Sequence, residues 1–312
     1  MARLARYAWV VLIYNLAVIA WGAYVRATGS GAGCGAHWPL CNGEVIVRPK
    51  TLEMLIEFSH RATSGLALIS VVVLFLWARR ITTPGHPVRT GATSSLVFML
   101  SEALLGAGLV LFQLVANDAS AARAFAVGAH LLNTFLLLAA MTLTVHWASG
   151  GSPVRVDSRR DGFSRFTLGA VALLIVSMAG AITALGDTLF PSVSLVEGLN
   201  ADLSATSHFL IRLRTIHPVL AVMVSIYLGS AVWQMGRTSA RGGALARTML
   251  WLIAAQVVAG VVNVAMLAPV WLQLLHLLLA DLVWITYVFL GAELLADAAP
   301  AQVVPDAVPQ RA

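Results

Sequence analysis

Apolar residues run through this chain in long blocks separated by short polar stretches. Eight blocks approach the roughly 20 residues that a helix needs to cross a bilayer: 8–26, 58–78, 93–115, 124–147, 166–185, 216–235, 248–267 and 270–294. Composition agrees with that pattern. The chain is 59% hydrophobic and 11% charged, whereas a soluble domain carries about 25% charged residues to coat its surface. The expected fold class is an all-α polytopic membrane protein. A soluble enzyme, a secreted disulfide scaffold, a disordered tail and a nucleic-acid binder are excluded.

The net charge of +6 is a topology signal once the charges are placed. With the N-terminus inside, seven of the 20 basic residues (Arg26, Arg48, Lys50, Arg61, Arg123, Arg212 and Arg214) fall in outer segments, leaving 13 in inner ones. The bias follows the positive-inside rule and predicts cytoplasmic N- and C-termini. Met1 to Arg6 leads directly into the first span, without the pattern of a cleavable signal or an Arg/Ser-rich transit peptide. A bacterial cell (inner) membrane is therefore expected.

The blocks repeat. The end of the first span (WGAYVRATGS) aligns with the end of the fifth (AGAITALGDT), placing Gly22 on Gly180 at an offset of 158 and Gly29 on Gly186 at 157. Glu102-x3-Gly106 in the third span aligns with Gln256-x3-Gly260 in the seventh, both at 154. The chain thus reads as two four-helix bundles: an N-terminal half (1–150), a cytoplasmic linker (151–165), a C-terminal half (166–295) and a cytoplasmic tail (296–312). Each half has an even number of spans, so the repeat is parallel and its pseudo-two-fold lies along the membrane normal.

The repeat also relates histidines. His60 pairs with His217 at an offset of 157, and His130 with His276 at 146. All four fall at the outer start of their spans. A single histidine on an apolar helix is ordinarily a hydrogen-bonded packing residue, but four at matched depth point to function. Two imidazoles facing each other inside a four-helix bundle suit bis-His ligation of a heme iron. His146 lies about 24 Å from His130 along the helix axis and reads as an interfacial residue; His37, His86 and His208 read as loop residues.

The two cysteines, Cys34 and Cys41, share the first outer loop, GSGAGCGAHWPLCNG. On an oxidising face such a pair closes an eight-residue loop as a staple; a redox-active pair, or a metal site with His37, are the other readings. Glu57 precedes His60 by three residues, whereas its partner at offset 157 before His217 is Arg214. An acid one turn from a heme ligand can stabilise positive character at a reacting carbon, and a guanidinium suits a propionate. Glu57 can equally pair with Arg61 at i+4. Glu102 and Asp281 are acids inside apolar spans and require a proton or a partner there.

The run E-F-S-H-R-A-T-S-G at Glu57–Gly65, the outer Cys34/Cys41 pair, A-H-L-L-N-T from Ala129 and the His217/His276 repeat resemble the heme A synthase family over essentially the whole chain. The resemblance implies a membrane oxidoreductase that converts the C8 methyl of heme O to the formyl of heme A. It implies substrate heme on His60 and His130, a heme b cofactor on His217 and His276, and iron held by those four imidazoles. It assigns the catalytic acid to Glu57 and the disulfide to Cys34 and Cys41. Arg61, Arg123 and Arg214 are the propionate candidates. Implied partners are the lipid bilayer, the protoheme farnesyltransferase that makes heme O, and the assembly factors of heme–copper oxidase. The sequence leaves a homo-oligomer open. The runner-up reading is a diheme b-type cytochrome passing electrons to or from quinone. A relay across the bilayer would place ligands near both faces, whereas these four share one level. A transporter would show broken helices matched in both halves, and none are seen.

Overall fold

The computed structural model describes residues 1–44, 47–154, 163–235 and 240–296. Its helices are α1 (Ala2–Ala27), α2 (Leu52–Ile81), α3 (Pro87–Leu111), α4 (Ala121–Ala148), α5 (Phe163–Leu189), α6 (Leu195–Leu203), α7 (Phe209–Leu213), α8 (Ile216–Met235), α9 (Ala240–Ala265) and α10 (Val270–Leu294). Among the described residues there is no β-strand. Eight helices are long and apolar enough to cross a membrane, α7 and α8 counting together as one span from Phe209 to Gln234. The eight expected spans are all present, and the chain is a multi-pass membrane protein. In hydrocarbon a backbone must satisfy its own hydrogen bonds, which is why the apolar blocks become uninterrupted helices.

Helix starts follow their local chemistry. The Thr51 hydroxyl accepts from the Met54 amide at 3.2 Å, and the Ser120 hydroxyl from the Arg123 amide at 3.2 Å. His86 Nδ1 accepts from the Val88 amide at 3.2 Å, with Pro87 in the first helical position, where its missing N–H costs nothing. The third span ends at Leu111, short of the expected residue 115, because Gln113 turns to φ 55° just beyond it.

One difference between the halves comes from a single residue. Pro218 has no N–H to give the carbonyl of Arg214, and its ring crowds that carbonyl. The sixth span therefore breaks between α7 and α8 at Arg214–Thr215. The position corresponding to Pro218 in the first half is Arg61, and α2 runs through it unbroken. This break, and the short surface helix α6, were not foreseen from hydropathy.

Within the first half each helix packs on its chain neighbour and α1 closes onto α4; in the second, α5 packs on α8 and α10, and α9 on α8 and α10. Across the halves α4 meets α5 and α10, and α1 meets α10. Half of the most apolar stretch of α4 and 44% of that of α10 are buried, against 11% for α9, so α4 and α10 form the centre. There the Trp284 indole donates to the Phe135 carbonyl at 2.6 Å, with the two rings stacked at 5.6 Å. Most of the expected linker (155–162) and tail (297–312) lie outside the described residues, as do Arg155, Arg159, Arg160, Arg237 and Arg311 of the charge pattern.

The α4–α10 contact predicts a graded response. Trp284→Phe keeps the stacking and loses one interhelical hydrogen bond, worth about 0.6–1.7 kcal/mol in a membrane protein. Trp284→Ala also opens a cavity and should cost about 3–5 kcal/mol. Unfolding of the purified protein in detergent checks both; equal losses for the two variants would remove this contact from the centre of the fold.

Candidate functional site

The four paired histidines lie within the first ten residues of their spans, which begin at Leu52, Ala121, Phe209 and Val270. Three of them rest against a glycine of a neighbouring helix. A Cβ at Gly22 would lie 2.9 Å from His60 Cε1, one at Gly180 2.9 Å from His217 Cε1, and one at Gly260 3.1 Å from His276 Cε1. An alanine at any of these positions would push on the imidazole. Three of the six glycines that align the two halves in sequence, Gly22, Gly180 and Gly260, thus make room for a ring.

In the C-terminal half the His217 and His276 rings are 6.3 Å apart and nearly perpendicular, at 88°. His217 Nδ1 lies 3.1 Å from the Val176 carbonyl. Donation there leaves Nε2 as the free lone pair, the orientation that a metal ligand needs. Gln256 Nε2 lines the space before His276 at 3.3 Å from its Nε2, and His276 Nδ1 is buried without a partner. In the N-terminal half His60 and His130 are close enough to interact electrostatically. Both carry a buried, unpartnered Nδ1. Glu102 Oε1 lies 3.4 Å from His130 Nδ1.

No group of three or more His, Cys, Asp or Glu side chains is gathered among the described residues. Two facing imidazoles without a third donor fit an iron that brings its remaining ligands with it, as a porphyrin-bound iron does. At the other end of α4, His146 sits beside the Ser152 carbonyl at 3.3 Å.

Cys34 and Cys41 are joined in a disulfide. That corrects the alternative of a thiolate metal site with His37, since an oxidised pair has no thiolate to offer. Glu57, 3% exposed, holds this loop to α2. Its Oε2 accepts from the Cys34 amide at 2.7 Å, and its Oε1 accepts from Arg61 at 2.5 and 3.2 Å. Arg61 in turn donates to the carbonyls of His37 and Leu40 at 2.6 and 2.7 Å. Gly33 makes the close approach feasible, since a Cβ there would meet the Glu53–Met54 backbone. The i+4 pairing of Glu57 with Arg61 is therefore present, and the carboxylate has a further partner that spacing did not reveal.

The other propionate candidates also have partners of their own. Arg214 pairs with Asp202 at 2.7 Å and Asp187 at 3.2 Å, and donates to the Phe190 carbonyl. Arg123 donates to the Ala116 and Asp118 carbonyls through one nitrogen, while its Nε is buried and unpartnered. Arg48, Lys50 and Arg212 are at least partly exposed. His208 caps α7 through the Leu210 amide. One residue read from sequence only as an outer charge matters more than that reading suggested. Arg26, at the end of α1, donates to the Ala184 carbonyl, Thr188 Oγ1 and Gln273 Oε1 at 2.7–3.0 Å, tying the first half to the two helices that flank the second histidine pair.

A family model described as cytochrome oxidase assembly protein (COX15-CtaA) matches residues 5–53 and 47–288. The chain is 53% identical over 296 residues to a Thermus thermophilus protein named protoheme IX farnesyltransferase, covering 94% of this chain and 49% of that protein. It therefore spans about half the length of the Thermus relative. It is 30% identical over 275 residues to a heme A synthase of Staphylococcus carnosus, covering 84% of this chain and 85% of that protein. It is 31% identical over 186 residues to a heme A synthase of an Exiguobacterium species, covering 60% of each. The family match runs through both histidine pairs, the disulfide loop and all but the end of the last span, and the chain belongs to the COX15-CtaA family of cytochrome oxidase assembly proteins, the heme A synthase family.

Proposed function

We propose that the chain is a membrane oxidoreductase that oxidises the C8 methyl group of heme O to a formyl group, first to the alcohol and then to the aldehyde, to give heme A for heme–copper oxidases. The observation that supports this reading is that all four imidazoles lie within the first ten residues of their spans, one pair with a carboxylate beside it and the other with its rings 6.3 Å apart. His217 and His276 would hold heme b as a fixed redox cofactor, and His60 and His130 would hold the substrate heme. A heme iron supplies the redox chemistry; the protein supplies placement and electrostatics.

On the protein side, His217 is set for ligation by the Val176 carbonyl, and Gly22, Gly180 and Gly260 leave room for three of the rings. Glu57 stands one helical turn before His60, its charge held in place by Arg61 and the Cys34 amide rather than by solvent. A fixed negative charge at that rim favours an electron-poor methyl carbon by preorganised electrostatics. Arg61 and Arg214 would meet propionates only by sharing their present partners, whereas Arg123 keeps an unpartnered Nε.

The chain sits, in this reading, in the inner membrane of a bacterium, with cytoplasmic termini and the disulfide loop outside, where oxidising conditions sustain it. The Thermus relative is named for farnesyl transfer to protoheme, and its match to this chain covers about half of it. A farnesyltransferase that makes heme O is accordingly the proposed upstream partner, with oxidase assembly factors downstream.

Three outcomes follow. Replacing His217 or His276 by Ala should remove tightly bound heme b from the purified protein, whereas His60→Ala or His130→Ala should spare it and abolish heme A formation; loss of the same heme from all four variants contradicts the two-site reading. Glu57→Gln keeps an acceptor for the Cys34 amide and removes the charge, so it should retain heme b and accumulate heme O or the alcohol. Near-normal heme A in cells expressing that variant would leave Glu57 as an anchor of the loop. Finally, a membrane-impermeant thiol reagent should label Cys34 or Cys41 in intact cells after reduction but not an engineered cysteine at residue 159; the reverse pattern inverts the topology.

A further inference from the structure

We infer that Glu102 is a positioning residue for His130, making the imidazole of the N-terminal half a stronger iron donor than its counterpart His276. The inference rests on the reading of His130 as an iron ligand and goes beyond it.

Glu102 is gripped from α4 at both oxygens. Asn133 Nδ2 donates to Oε2 at 2.6 Å and Thr134 Oγ1 to Oε1 at 2.5 Å, while His130 Nδ1 lies 3.4 Å from Oε1. Asn133 is itself anchored on α3, donating to the Phe98 carbonyl at 2.9 Å and accepting from Ser101 Oγ at 2.6 Å. A tie between α3 and α4 is complete with Asn133, Ser101 and Phe98 alone. Glu102 is not needed for that tie; what it adds is a carboxylate held beside the imidazole. His130 Nδ1 is buried and makes no hydrogen bond, and the Glu102 carboxylate is the acceptor that stands beside it, at 3.4 Å.

The C-terminal half lacks every part of this arrangement. At the repeat offsets the counterparts of Phe98, Ser101, Glu102, Asn133 and Thr134 are Leu252, Ala255, Gln256, Leu279 and Ala280. Only the amide of Gln256 is polar, and it stands at Nε2 of its imidazole, not at Nδ1. The glycines agree. A Cβ at Gly260 would touch His276, whereas one at Gly106, the matching position, would meet nothing within 4 Å. His276 lies on its glycine, and His130 lies instead toward the acid one turn away.

The chemical consequence is directional. A carboxylate that accepts the Nδ1–H of a ligating imidazole raises the donor strength of Nε2. Stronger donation favours ferric over ferrous iron and lowers the reduction potential. An amide does this far less. The acid thus biases the half proposed to oxidise a methyl group, and its absence leaves the other half to hold an easily reduced heme.

The test is spectroelectrochemical titration of the full chain in detergent, loaded with hemin. The wild-type chain should show two one-electron midpoints, one of which disappears in His130→Ala. In Glu102→Gln that midpoint should rise, changing the ferrous-to-ferric ratio at a fixed potential about tenfold, or about 59 mV, with the other midpoint unmoved. Glu102→Asp, which keeps the charge but draws the carboxylate back from the ring, should raise the same midpoint by less. Glu102→Gln retaining both hemes with a ratio within about threefold of wild type overturns the proposal and leaves Glu102 as an interhelical tie. If Glu102→Gln does not fold, Glu102→Asp decides, and an unmoved midpoint there overturns it. A wild-type chain with one midpoint, unaffected by His130→Ala, instead overturns the ligand reading beneath it.

Discussion

Lipid gives apolar helices no hydrophobic reason to cluster, because a leucine is as well solvated by acyl chains as by another helix. What draws these helices together is close packing and the need of a few intramembrane polar groups to find protein partners. The indole of Trp284 finds the Phe135 carbonyl, Asn133 of α4 finds the Phe98 carbonyl on α3, and Arg26 reaches from α1 to α5 and α10. The central position of α4 and α10 follows from those ties. Three of the paired histidines, His60, His217 and His276, sit where helices approach closely enough for a glycine to face a ring.

Just before the first histidine of each half, one mechanical problem is solved with different chemistry. Glu57 and Arg214 occupy matching positions before their histidines, and each fastens an outer loop to the helix that carries the ring. Glu57 does so through the Cys34 amide and Arg61, in a loop already closed by a disulfide. Arg214 does so through Asp187 and Asp202, beside a helix that Pro218 has broken. A buried charge stripped of such partners is strongly destabilising, so these residues have a structural task whatever chemistry is added to it. Reading one as acid and the other as propionate clamp captures their charge but not the partners they already hold.

The two repeats of the sequence therefore differ in detail around their rings. Where the second half uses a backbone carbonyl and a glutamine, the first uses a carboxylate held by Asn133 and Thr134. Groups that accept a hydrogen bond from an imidazole, or stand beside it, set how strongly that ring donates to a metal.

Much of this was legible in the sequence because hydropathy acts on whole segments. A block of about 20 apolar residues has one stable fate in a bilayer, so the eight spans and the multi-pass class needed no tertiary information. The repeat offsets paired His60 with His217 and His130 with His276, since identical neighbours such as Gly22 and Gly180 mark the same close approach. Spacing also put Glu57 within reach of Arg61, because i and i+4 share a helix face. Contacts between segments far apart in the chain could not be read this way. That Glu57 also accepts from Cys34, that Arg26 crosses between the halves, and that Glu102 stands at Nδ1 of His130 while Gln256 stands at Nε2 of His276 depend on how helices rotate and approach one another. Those rotations are set by side-chain packing across many residues at once, and no local pattern in the sequence encodes them.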